Sequence, residues 1–522
     1  MLRVASMESL WKRTGPEILA DVFDGGFHDA VVVGAGLTGL ASAVLLSRAG
    51  LRVTVLEARA AGAVTTGNTT GKLSLLQGTV FSELRERHGV EILQAYAEAN
   101  REGQAWLLRW LASAGMEADR RSAYTYATDA EQLDALARER EACAAAGIAV
   151  GLTHDTGLPF ETAGALVLDE QAQLHPMEVL AGLAAELRER GGSLVEHCRV
   201  EDIEIGAGEV LVRTTLGTVP ADVCVLATGV PILDRGLFFA KLEPSRSFVG
   251  AYRLAATAAA PRGMYVSAGS PHRSLRTASD SDGEEVLVVG GQPHVTGRAA
   301  DTAADVQDLD AWVEQRFGPA RLVARWAAQD YRTHSRIPFA GVLPRGGGRV
   351  YAATGYNKWG MTNAICSALR IAGEILGGHQ EWGAVLQEHT LSLPEVSDAI
   401  GANAEVAARL IGGWVRAEFQ PSRAGDPPGE GEGRVVSDGL APVGTARVDG
   451  VVCRVSAVCT HLGGVLSWNA AERSWDCPLH GSRFSVGGAL LEGPALRDLP
   501  PAQETDGAAA ADGPSGPRPA AK

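Results

Sequence analysis

Residues Asp29–Arg59 read DAVVVGAGLTGLASAVLLSRAGLRVTVLEAR, and this stretch decides the fold. Ala30 to Val33 is a short β-branched apolar run, which predicts a buried strand. Gly34, Gly36 and Gly39 follow at G-x-G-x-x-G spacing. A helix is expected next, with Leu37, Leu40, Ala41, Val44 and Leu45 on one face and Gly50 at its end. A second strand, Arg52 to Leu56, ends at Glu57. The three glycines have separate jobs: a tight turn, close backbone approach to a pyrophosphate, and close packing of helix on strand. The helix N-terminus then offers unpaired N–H groups to phosphates. Strand, glycines, helix, strand and acid fall in the order a dinucleotide site needs. Glu57 suits a free ribose 2′-hydroxyl, hence NAD or FAD rather than NADP. This stretch alone does not choose between those two.

With 522 residues the chain is long enough for several domains. A net charge of −15 argues against nucleic acid or an anionic membrane surface as a partner. Seven cysteines, an odd number in so long a chain, do not read as a disulfide framework. The start shows no signal-peptide pattern, and the longest apolar run is the nucleotide stretch itself. No integral membrane segment and a cytoplasmic location are therefore expected.

Outward from the opening stretch, residues 1–28 form an N-terminal extension in which Ser9, Leu10 and Trp11 are expected to pack on the surface. Residues 65–78, TTGNTTGKLSLLQG, read as a loop in which Thr70, Gly71 and Lys72 offer small side chains, backbone donors and one cation. Helical patterns occupy much of about 82–150. His175, before Pro176 at the start of an amphipathic helix (177–190), reads as a capping or packed histidine. Ser193–Val200 and the apolar run Ala221–Thr228 read as strands, the latter central. Residues 241–330 suggest an antiparallel-sheet substrate domain, with strands near 248–254, 263–267 and 285–290 and an acidic helix at 301–317. A strand at Val350–Ala353 then leads through Thr354–Thr362 into a helix N-terminus, a second place to meet an electron-rich group. Residues 418–433 are Pro- and Gly-rich, a linker that reaches roughly 50 Å if extended. The tail beyond 499 is low-complexity and expected to be disordered.

The second chemical centre lies late in the chain. Cys459-Thr-His461 and Cys477-Pro-Leu-His480 each supply one thiolate and one imidazole, beside Gly463, Gly464 and Gly481. Two cysteines and two histidines also suit zinc. The pairing of one Cys with one His in each loop favours a Rieske [2Fe–2S] centre, whose irons take two thiolates and two imidazoles. A Rieske oxygenase would add a mononuclear iron held by Asp/Glu-x2-His-x4-His, and that spacing occurs nowhere.

With both centres placed, the chain resembles the FAD-dependent amine and amino-acid oxidoreductases of the D-amino-acid oxidase (DadA-like) superfamily, fused to a C-terminal Rieske domain. CTHLGG and CPLHGSRF carry the Rieske likeness. The fold this implies is a multidomain α/β and α+β chain: a Rossmann-like FAD domain with an interleaved antiparallel-sheet substrate domain, plus a small all-β Rieske domain. The expected order is FAD domain 29–240 with the helical insertion, substrate domain 241–330, FAD domain again 331–385, helical segment and linker 386–433, Rieske domain 434–498 and tail 499–522. The resemblance implies FAD and a [2Fe–2S] cluster as cofactors. It places Gly34, Gly36 and Gly39 on the pyrophosphate and Glu57 on the adenosine ribose. Thr70, Gly71 and Lys72 lie by the flavin, Val200 near the adenine, and Thr228 and Gly229 form another contact. Gly355, Gly360, Met361 and Thr362 close over the flavin. Cys459, His461, Cys477 and His480 are the implied iron ligands.

Departures from the respiratory Rieske type are informative. Gly464 and Leu479 stand where that type has a disulfide, and Phe484 stands where it has a tyrosine that bonds a ligand sulfur. Ser482, which can bond a cluster sulfide, is kept. Fewer hydrogen bonds to sulfur imply a lower reduction potential.

The function implied is oxidation of a C–N bond in an amine or amino-acid-like substrate, with electrons passing from flavin to cluster and on to an external acceptor. Arg332 and Arg336 are candidates for a substrate carboxylate, with His334 between them; Lys72 and Lys358 are further candidates for chemistry, and Trp359 adjoins Lys358. The rival readings are reversed electron flow, with the flavin reducing a substrate, and a non-catalytic electron-transfer module. Cys143, Cys198, Cys224, Cys366 and Cys453 read as packed residues.

Overall fold

The structure, a computed structural model, describes residues 7–233, 235, 238–390, 427–438 and 441–502. The 386–433 segment and the tail therefore fall largely outside the described residues.

The stretch quoted first builds the spine. His28–Val33 pairs in parallel with Val53–Leu56 on one side and Gly217–Leu226 on the other, Val31 lying opposite Thr54 and Cys224. Ser193–Val195 extends the sheet beyond Val53–Leu56, and Val350–Thr354 then Phe339–Val342 extend it beyond Gly217–Leu226. The strand at 221–228 is thus central, as its apolar run predicts. A hairpin, Val200–Ile205 and Val210–Thr214, hangs from Gly217–Leu226. The expected strand Ser193–Val200 is therefore two strands. His197, at φ 54°, takes the left-handed conformation between them, and the chain leaves the sheet there.

Helix Leu37–Arg48 is buried on nearly every face, as a helix apolar all round must be. Gly39 makes its contact with the sheet possible: a Cβ there would lie 1.9 Å from the Gly34 carbonyl oxygen. Helix Gly360–Ile375 packs on it and on Val90–Ser113. At the second crossing a Cβ on Gly103 would meet the Thr362 carbonyl oxygen at 2.7 Å.

The second sheet has nine strands, with Ala320–Thr333, Leu242–Leu254, Glu285–Val295, Arg273–Ser279 and Met264–Ser267 in order. It continues through Asp119–Ala127 and Gly164–Gln173, so it draws on residues well before 241. The region near 82–150 is accordingly not helical throughout. The Met264–Ser267 to Asp119–Ala127 pairing is parallel, within an otherwise antiparallel sheet. Strands Arg273–Ser279 and Ala320–Thr333 were not foreseen: arginines and other polar residues break their apolar runs. Val306, Leu309, Val313 and Phe317 bury one face of helix Thr302–Phe317 on this sheet. The 65–78 loop holds a short helix, Thr65–Asn68, and Lys72–Leu73 forms an edge strand.

Leu10 and Trp11 are core residues, each 1% exposed, not surface cover. Trp11 Nε1 donates to the Thr69 carbonyl at 2.6 Å, and Lys12 Nζ to that of Ala63 at 2.6 Å. The N-terminal helix Leu10–Thr14 thereby clamps the loop that follows the second strand.

Residues 433–456 and 467–492 form two small antiparallel sheets of three and four strands. Trp475, Phe484, Cys459 and Cys477 share their core. Among the described residues no helix is long and apolar enough to cross a membrane.

Candidate active site and metal centre

A cavity of about 660 Å³ runs between the two large sheets. At one end Gly34 leaves its strand at φ 106°, and a Cβ there would lie 2.6 Å from the Ala227 carbonyl oxygen. Gly36 caps helix Leu37–Arg48 and lines the cavity, so the helix N-terminus opens onto it. Gly39 does not line it; its task is packing. Glu57 does, and its carboxylate accepts the Ala35 and Arg59 N–H groups, both at 2.9 Å. Burial pushes its pKa up while those two bonds oppose the shift. A carboxylate held this way keeps lone pairs for ribose hydroxyls. Val200, Thr228 and Gly229 complete this end.

Further along, Thr70 and Lys72 line the cavity, whereas Gly71 sits behind it, where a Cβ would meet the Leu174 carbonyl oxygen at 2.5 Å. Lys72 Nζ donates to Ser274 Oγ, and burial holds its pKa well below the usual lysine value, with Arg276 adding to the effect. Gly355, Gly360 and Met361 line the cavity. Thr362 does not: its hydroxyl accepts from Gln77 Nε2 at 3.2 Å and belongs to a buried network with Tyr96, Asn100 and Asn363.

The far end is cationic. Arg332 and Arg336 both line it. Arg336 is paired with Glu83 at 3.1 Å; Arg332 has no salt-bridge partner among the described residues. Lys358 opens onto the cavity, not onto bulk water, so it is crowded although part of its surface faces a void. Its pKa falls to about 7 through burial, with Arg332 adding to the fall and Asp330 opposing it. Its Nζ donates to Ser247 Oγ, and its backbone N–H to the Asp330 carboxylate. His334 does not line the cavity. The imidazole found there is His272, whose pKa burial lowers first, then Lys358 and Arg332. Nothing in the sequence around His272 and Ser274 marks them as site residues; strand pairing brings them in.

The four metal-ligand candidates meet. Cys459 and Cys477 are buried together, and the His461 and His480 rings lie 5.2 Å apart. His480 Nδ1 is buried without a hydrogen-bond partner, an acceptor waiting for a metal. Burial lowers the His480 pKa to about 4, helped by His461 and Arg298, so the ring is neutral, as ligation requires. Among the described residues no three His, Cys, Asp or Glu side chains converge as they would on a single ion. Four donors split between two loops suit a two-iron cluster, not zinc. A Cβ on Gly464 would touch Leu479 Cδ1 at 2.6 Å, so these two positions face each other as a disulfide pair would. Ser482 and Phe484 are fully buried beside the thiols.

The cluster loops also rest on the large sheets. Gln329 Nε2 donates to the Gly481 carbonyl at 2.9 Å, and Arg298 Nε to that of Pro478 at 2.9 Å. Phe239 stacks edge-on against His461 at 4.4 Å. Leu491, Glu492, Gly493, Ala495 and Leu496, beyond the second ligand loop, line the large cavity itself. LEGPAL carries no local pattern that announces this contact. The other cysteines are buried, Cys453 partly, and burial pushes the Cys366 thiol up to about 12.

Residues 29–373 match the family described as FAD dependent oxidoreductase (DAO), and residues 431–503 match the Rieske [2Fe-2S] domain. A Bacillus subtilis (strain 168) protein, YhfW, named as a Rieske 2Fe-2S iron-sulfur protein, is 29% identical over 90% of this chain and 92% of its own. The cytochrome b6-f complex iron-sulfur subunit of Synechococcus sp. (strain JA-3-3Ab) is 44% identical over 13% of this chain and 41% of its own. Glycine oxidase from Geobacillus kaustophilus shares the fold with a TM-score of 0.56 at 19% identity, over 68% of this chain and 96% of that one. L-Proline dehydrogenase from P. horikoshii does so with a TM-score of 0.55 at 18% identity, over 68% and 94%. The chain therefore belongs to the DAO family of FAD-dependent oxidoreductases and carries a Rieske [2Fe–2S] domain at its C-terminal end.

Proposed function

We propose that this enzyme oxidises the C–N bond of an amino-acid-like amine and passes the electrons through the cluster to an external acceptor. When bound, FAD supplies two-electron oxidation of the substrate and the cluster one-electron transfer. One observation carries the reading. A single cavity joins the dinucleotide cradle at Glu57 to the cationic end at Arg332 and Lys358, with the cluster-bearing domain forming part of its wall.

Arg332 supplies an unpaired cation for a substrate carboxylate. Lys358, near neutral pH at half-protonation, takes the ammonium proton, so the nitrogen enters the reaction uncharged. Asp330 holds the Lys358 backbone, and Asn357 bonds the Arg336 and Gly355 carbonyls at 2.9 Å, which fixes the loop between substrate and cofactor. Glycine oxidase and L-proline dehydrogenase, which share the fold, act on amino acids by their names and support the substrate class. Free thiols at all seven cysteines support a cytoplasmic location, which cell fractionation tests.

The deciding experiment mixes the holoprotein with amines and amino acids without oxygen. Bleaching of the flavin absorbance followed by a Rieske EPR signal is expected. If no amine bleaches it, and a reductant acting through the cluster does, electron flow runs the other way.

A further inference from the structure

We propose that the Rieske domain is the lid of the FAD site, so that FAD binding and docking of this domain stabilise each other. The inference rests on cofactor identity alone, not on the substrate or the direction of electron flow.

Three consecutive Rieske residues are tied to three different elements of the FAD-binding part. The Leu491 carbonyl accepts from Arg59 Nη1 at 2.7 Å. The Glu492 carboxylate pairs with Arg246 at 3.2 Å. The Gly493 carbonyl accepts from the Tyr331 hydroxyl at 3.3 Å. Leu491, Glu492 and Gly493 all line the cavity, with Ala495 and Leu496 beside them. Arg59 is itself part of the cofactor end, since its backbone N–H holds the Glu57 carboxylate.

A buried ion cluster locks this wall. Arg246, 2% exposed on strand Leu242–Leu254, forks onto Glu472 as well as Glu492. Arg483 pairs with Glu472, Glu492 and Asp476 at 3.0, 3.1 and 3.0 Å. Asp476 directly precedes the ligand Cys477. Arg246 is the one member from outside the Rieske domain. Without it, three buried carboxylates face a single arginine, and the domain contact loses its charge balance. The same bonds thus connect cavity wall, domain contact and cluster loop. A ligand that fills the cavity must then favour the docked state, and docking must favour the ligand by the same factor.

The test uses the full chain in two ways. Arg246→Met is expected to weaken FAD at least tenfold, measured by equilibrium release of flavin, with the visible spectrum and EPR signal of the cluster retained. In the unaltered protein, hydrogen exchange of peptides covering 489–497 is expected to accelerate at least tenfold when FAD is removed and to recover when it is added back. An FAD Kd within twofold of the parent in Arg246→Met with an intact cluster would overturn the proposal. So would exchange in 489–497 that ignores FAD, and this second measurement decides the matter alone if the variant does not fold.

Discussion

The cluster site and the FAD cavity solve the same problem, holding a redox group, by opposite means. All four cluster ligands lie within residues 459–480, on two loops whose turns are set by short-range bonds. Cys477 N–H bonds the Ser482 carbonyl at 2.8 Å, and Gly481 N–H bonds that of Cys477 at 3.1 Å. The cavity instead gathers Gly34, Glu57, Val200, His272, Arg332, Lys358 and Gly493 from strands and loops across most of the chain. A compact ligand set fails all at once, because each ligand is one of four. A dispersed cradle loses affinity in steps.

The sharpest test of that contrast is Cys477→Ser. Iron content and the cluster EPR signal should fall to background. FAD should be weakened but still bind, since most of its wall lies elsewhere. Complete loss of both cofactors would make the two sites one cooperative unit and break the comparison.

Next in size is Lys358→Met, which probes the dispersed site where it meets substrate. With a folded pKa of about 7 against an ordinary lysine value of 10.5, the side chain is protonated below pH 7 and neutral above it. The rate of anaerobic flavin bleaching should therefore rise through pH 7 in the parent. In the variant that limb should vanish and the rate at pH 8 should fall about 100-fold. The same shift bears on stability. The folded state binds fewer protons than the unfolded chain between about pH 7 and 10.5, so this group makes stability rise with pH across that window. An unchanged pH profile in the variant would remove Lys358 from the proton path.

Glu57→Ala is expected to be milder. A hydrogen bond to a charged group contributes about 1.5–3 kcal/mol, which corresponds to roughly 10- to 100-fold in FAD Kd. The loss of the Ala35 and Arg59 backbone bonds is included in that range. A variant that kept FAD as tightly as the parent would strip Glu57 of its ribose role.

The same contrast explains what the amino-acid sequence made legible. Cys459, His461, Cys477 and His480 stand at fixed short spacings, and the structure brings them together. Gly34, Gly36, Gly39 and Glu57 are legible for a similar reason: one βαβ unit contains them all. Gly71, Thr362 and His334 miss the cavity although their neighbours line it, because a one-residue step along an extended chain or around a helix turns a side chain away. His272, Ser274 and residues 491–496 line the cavity yet carry no local pattern. They arrive through the pairing of Arg273–Ser279 with its sheet neighbours and through the ion cluster at Arg246, which are contacts between distant segments. Trp11 was misplaced on the surface because its partner, the 62–70 loop, has no apolar periodicity to announce a core.

The smallest expected effect is also the finest probe of the cluster loops. Phe484 is wholly buried in the core that holds Cys459 and Cys477, and it offers no hydrogen-bond donor. The facing pair Gly464 and Leu479 likewise supplies no disulfide to stiffen the loops. With fewer donors to sulfur, the reduced, more negative cluster is less stabilised, so its potential should lie below that of respiratory Rieske proteins. Redox titration of the full chain, followed by EPR, measures this directly. Phe484→Tyr should raise the potential if the new hydroxyl reaches a ligand sulfur, without changing FAD affinity. Because the ring has no spare space, the substitution also tests the local character of this site. An upward shift with unchanged FAD binding would mean that the loop absorbs one extra oxygen within itself. A parent potential as high as the respiratory type would mean that hydrogen bonds to sulfur do not set the value here, and that burial against Phe239 and the large sheets does.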